Sequence, residues 1–179
     1  MDILKDSIER ILKLGAKRVE VIPVSKVAFY PEIRKSCEMN QCGAYGKNWT
    51  CPPHIGDINE LISELSQYKN VLVYQCVYEL EDSYDIEGMD EGQKQFHKLT
   101  NKIAQLYAGS NPPVKVLSAG GCRICAVCGA VTNTPCRFPS VAYSSLEAHG
   151  IQVSELAKAC GMKYINGKNT VTYFGAIFQ

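Results

Sequence analysis

Four cysteines crowded into one loop constrain this chain more than any other feature. The stretch from Gly120 to Pro139 reads Gly-Gly-Cys-Arg-Ile-Cys-Ala-Val-Cys-Gly-Ala-Val-Thr-Asn-Thr-Pro-Cys-Arg-Phe-Pro. Cys122, Cys125 and Cys128 are each separated by two residues, and seven residues lie between Cys128 and Cys136. A two-residue gap turns consecutive thiolates toward one centre and leaves the intervening N–H groups free to donate to sulfur. Structural zinc usually takes its ligands as two separated pairs, whereas C-x2-C-x2-C is the run that holds a [4Fe–4S] cluster. The last gap is longer than in ferredoxin runs, and Pro135 precedes Cys136 rather than following it. One [4Fe–4S] cluster on these four thiols is the expectation, with zinc as the alternative.

Nine cysteines in 179 residues call for an explanation other than disulfides. The count is odd, and a reducing compartment does not sustain such bridges. A second group, Cys37, Cys42 and Cys51, lies in a stretch that ends Cys51-Pro52-Pro53-His54. It has three thiols and no obvious fourth. A second cluster close to the first is expected here, its remaining ligand coming from Cys76, Cys160 or His54, or one iron staying open; zinc is again the alternative. Cys76, inside an apolar strand pattern, and Cys160, at the end of a helix pattern, read more simply as small buried hydrophobes.

Periodicity places these loops in an α/β domain. Ile3, Leu4, Ile8, Ile11 and Leu12 recur at helical spacing, and Gly15 closes the segment. A β-branched strand follows over Arg18 to Val24, then a long ordered loop over 25–56 carrying the first cysteines. A helix from about Asp57, a central strand over Asn70–Tyr78, a helix over roughly 92–108 and a strand over Val114–Leu117 come next. Beyond the second cysteine loop the pattern gives a helix over 140–149, with His149 suited to its C-terminal dipole, and another over Val153–Cys160. Asn166-Gly167 marks a hairpin between Met162–Ile165 and Thr170–Phe178. The whole chain, 1–179, is expected to form one domain. It would hold a mixed sheet of about five strands flanked by helices, parallel in its βαβ part, with a C-terminal hairpin and cysteine loops at about 34–56 and 120–139. Parallel neighbouring strands would bring both loops to one end of the sheet.

The remaining composition mostly excludes. A net charge of +1 gives no reason to expect nucleic acid or an anionic membrane as partner. The N-terminus is too charged for a signal peptide, and no apolar run approaches a membrane span, so a cytoplasmic protein is expected. Dinucleotide-binding, Walker A and radical Cys-x3-Cys-x2-Cys fingerprints are absent.

The pairing of Cys…Cys…Tyr-Gly…Cys-Pro-Pro with Gly-Cys-x2-Cys-x2-Cys…Pro-Cys-Arg-x-Pro resembles the predicted metal-binding proteins called domain of unknown function 2284. The resemblance runs from about Arg34 to the C-terminus and includes all seven motif cysteines. It implies an iron–sulfur protein of bacteria and archaea, many of them anaerobes, and supplies no substrate or reaction. Electron transfer with a redox partner protein is the first expectation, with Arg123 and Arg137 raising the potential by their charge. An enzyme using an open iron as Lewis acid or sulfur acceptor is the alternative, with Tyr45, Lys47, Trp49 and His54 near its substrate. A structural zinc module is the third reading.

Overall fold

The computed structural model describes residues 3–179, with side chains from Lys5 onward. Its longest strand organises both cores. In β2 (Asn70–Glu79), Val71 and Val73 enter one apolar cluster, while Leu72, Tyr74 and Cys76 enter the other. Successive strand residues point to opposite faces, so a continuous apolar run is the mark of a strand covered on both sides. One face carries α1 (Ile3–Leu14) and α4 (Ile86–Gln105), whose Ile11, Phe96, Leu99 and Ile103 pack on it. The other carries α3 (Ile58–Ser66) and α5 (Val153–Ala159) through Leu65, Leu156 and Ala157. The result is one mixed α/β domain. Ile8 and Ile11 face inward from α1 as expected, but Leu12 is exposed; the side chains of Ile3 and Leu4 lie outside the described residues.

The sheet is mixed, in the order β1-β2-β5-β3-β4. β1 (Arg18–Pro23) pairs antiparallel with β2, β2 with β5 (Thr170–Phe178), and β5 with β3 (Lys115–Ser118). Only the two-residue β4 (Ser144–Ser145) runs parallel to its neighbour, β3. The expected parallel βαβ part is therefore corrected. The first loop and α3 return the chain to Pro23, opposite Asn70, so β2 runs back along β1. The hairpin is corrected too: Met162–Ile165 forms no strand, because β2 and β3 already occupy both edges of β5.

Two helices differ from their sequence patterns. α4 starts earlier than expected, capped by Asp85, whose carboxylate accepts the Gly88 N–H at 2.8 Å. Residues 140–149 do not form a helix but give β4 and one 310 turn, Glu147–His149. His149 is buried rather than a cation on a helix dipole, and burial lowers its pKa to about 4. No helix among the described residues is long and apolar enough to cross a membrane.

Since β1 and β3 run in opposite directions, their loops do not meet at a shared strand end. The first loop instead lies back along residues 146–151. Phe29 bridges Ile151, and the Tyr30 N–H donates to the Gly150 carbonyl at 2.7 Å. This path carries α2 (Ile33–Glu38) and its Cys37 toward the second cysteine loop.

Candidate metal centre

The second cysteine loop leaves β3 through a clamped carbonyl. The Ala119 oxygen accepts from Gln93 Nε2 at 3.1 Å and lies 2.8 Å from His97 Nε2, both on α4. Beyond it Cys122, Cys125, Cys128 and Cys136 line one small recess together with Asn48, Ile124 and Phe138. The return to Cys136 needs Gly129: a Cβ there would meet the Pro135 carbonyl at 2.9 Å and clash with that of Thr134. Arg137 Nη2 donates to the Val127 carbonyl at 2.7 Å, tying the two ends of the loop. Burial raises the Cys122 thiol, and the charges of Cys136, Cys128 and Cys125 raise it further. Four thiolates so placed repel one another, and a bound cation reverses that cost.

The first group closes differently. Cys37 sits in the last turn of α2, Cys42 follows in an exposed loop, and Cys51 is buried. A tight turn holds Cys51: its N–H donates to Asn48, its carbonyl accepts from Ile55 at 3.1 Å, and Gly46 donates to Pro52 at 2.8 Å. All three thiols line a cavity of about 350 Å³. Burial pushes Cys51 up to about 11, with a hydrogen bond from Thr50 opposing and the charges of Cys42, Cys37 and Cys122 adding.

The two groups adjoin. Cys122 belongs to the walls of both the recess and the larger cavity. Its N–H donates to Thr50 Oγ1 at 3.2 Å, one residue from Cys51, and Trp49 Nε1 donates to the Thr134 carbonyl at 2.9 Å. Gly121 fills the seam: a Cβ on it would stand 3.1 Å from Cys51 Sγ. Among the described residues no three Cys, His, Asp or Glu side chains stand close enough to hold a single ion. The thiols line cavities instead, and a cysteine-rich lining supplies the soft donors that transition metals with sulfur preference take.

Residues 20–178 match the family of predicted metal-binding proteins designated DUF2284. The chain belongs to this family. Neither a curated protein nor a solved structure matches it. All seven motif cysteines of this DUF2284 protein fall inside the matched residues.

The other residues singled out by sequence divide. Tyr45 and Arg123 line the first-group cavity, and Arg123 also pairs with Asp90 of α4. Lys47 is exposed and lines neither cysteine cavity; Trp49 lines a separate outer cleft. His54 turns its Nε2 to the Gly46 carbonyl at 3.2 Å and packs edge-on against Trp49. Cys76 lies in the core on the α1–α4 face with its thiol toward the Gly15 carbonyl, and Cys160 in the opposite core. None of these three possible fourth ligands reaches the cavity wall.

Sequence reasoning missed Glu147, Ser145 and Gln93, which do line it. Glu147 has an exposed surface, yet the protein packed around it raises its carboxyl pKa, while its own backbone N–H and Ser145 pull the other way. The two observations agree for a group that opens into a cavity. No spacing in 140–149 carries this signal, because the long-range contact with α2 creates the site.

Proposed function

We propose that this DUF2284 protein carries two [4Fe–4S] clusters in adjoining sites and relays electrons to or from a partner protein. Cys122, Cys125, Cys128 and Cys136 hold one cluster, and Cys37, Cys42 and Cys51 hold the other. Clusters so bound take up and pass on single electrons. The supporting observation is the position of Cys122 in both cavity walls, which makes the two groups neighbours. The Thr50–Cys122 hydrogen bond fixes their separation, and Arg123 and Arg137 place positive charge beside the thiolates. Exposed Cys42 puts the first site at the surface, where a redox partner protein docks. Such accessible thiolates are prone to oxidation, which favours an anaerobic cytoplasm.

A second reading, a Lewis-acid enzyme, draws on another observation. The first group supplies three thiols, and its cavity shares Gln93, Gly120 and Glu147 with a further cavity of about 250 Å³.

Iron, sulfide and zinc in anaerobically prepared C125S and C42A variants test the two-cluster reading. Each variant should keep about half of the wild-type iron and sulfide. Loss of all iron in C125S, or full loading in C42A, contradicts two clusters; colourless, zinc-loaded protein contradicts iron.

A further inference from the structure

Glu147 lines the same cavity as the three thiols of the first group. It begins the 310 turn Glu147–His149, which a single arginine braces against the first cysteine loop. Arg34, on α2 with Cys37, donates through Nη2 to the Ala148 carbonyl at 3.3 Å and through Nη1 to the Gly56 carbonyl at 2.9 Å. Ser145 Oγ accepts the Ala148 N–H at 3.1 Å, which fixes the turn from its other side.

The backbone N–H of Glu147 and the Ser145 side chain are the hydrogen-bonding groups beside this carboxylate, and no cation among the described residues faces it. Glu147 makes no ion pair among the described residues, and Arg123, the basic side chain in the same wall, is paired with Asp90. Cys122 is the only other thiol in the wall, and the second group needs it as its fourth.

We propose that Glu147 supplies the fourth protein ligand, an oxygen donor, to the cluster held by Cys37, Cys42 and Cys51. The inference rests on the two-cluster reading above. A carboxylate is a harder donor than a thiolate and suits a sulfide-bound iron less well. One iron of the first cluster is thus the most exchangeable in the protein. Glu147 also lines the neighbouring cavity of about 250 Å³, so a small molecule has a route to that iron.

The test uses full-length protein reconstituted anaerobically as wild type, E147A, E147Q and E147C, then oxidised with ferricyanide. Removal of one electron from a [4Fe–4S]2+ cluster lets its most weakly held iron leave as Fe2+. The remaining [3Fe–4S]+ cluster is counted by electron paramagnetic resonance. E147A should convert at least about tenfold faster than wild type, the loss that follows removal of even a group hydrogen-bonded to a metal ligand. E147Q, of nearly unchanged volume, should also convert faster, and E147C more slowly than wild type. Equal rates in wild type, E147A and E147Q overturn the assignment. Wild-type protein that loads only one cluster refutes the two-cluster reading instead, so the two failures are told apart before oxidation begins.

Discussion

The Cys122 amide donates a hydrogen bond to Thr50 Oγ1 at 3.2 Å, joining two cysteine loops that lie far apart in sequence. Thr50 is buried, so no water replaces it freely. Replacing Thr50 with Val keeps the shape and removes the acceptor. The orphaned N–H should destabilise the metal-free fold by about 1–3 kcal/mol. Urea unfolding measures the loss, and T50S should recover most of it. An unchanged midpoint in T50V would show that the bond does not hold the loops together.

Gly121 offers a more selective probe. An added Cβ would stand 3.1 Å from Cys51 Sγ and 3.4 Å from Asn48 Nδ2. A free cysteine side chain yields a few tenths of an ångström, but a sulfur fixed to metal does not. G121A should therefore lose iron from the first group and keep the second cluster, lowering iron per chain by about half. Equal losses from both groups would indicate general unfolding rather than a local clash.

The elements legible in sequence were those with local causes. The apolar run of β2, the helix start near Asp57 and the two cysteine motifs needed no distant partner. The first turns of α4 were hidden because residues 79–91 are acidic and carry Gly88, a composition that suits a solvated loop. At Gly92 the absence of a side chain is a packing requirement, since a Cβ would meet the Tyr78 ring at 3.1 Å. The directions of β1 and β3 depend on pairings made through β2 and β5, which no local pattern encodes. Glu147 escaped for the same reason: within 140–149 it looks like a polar position on a helix, and only the approach of α2 gives it a cavity to face.

The raised cysteine pKa values give a pH dependence with a definite sign. Burial moves Cys51 from 9.0 to about 11, and burial likewise moves Cys160 to about 11. The thiol form is favoured in the fold, so this stability is fully present below pH 9.0 and lost as pH rises toward 11. Metal-free protein should show a falling urea midpoint across that window. C51A and C160A should each flatten part of the fall. Bound metal requires thiolates, so loading should release protons and tighten as pH rises from 7 to 9. A midpoint that stays level to pH 11 in metal-free protein would contradict the burial of these thiols.

Iron and acid-labile sulfide per chain in anaerobic wild-type protein, read with the electron paramagnetic resonance spectrum of its reduced form, test the paired sites most directly. Two adjoining [4Fe–4S] clusters predict about eight iron and eight sulfide, with a spectrum broadened by interaction between the two reduced centres. About four iron with one isolated signal, or zinc without sulfide, would contradict them.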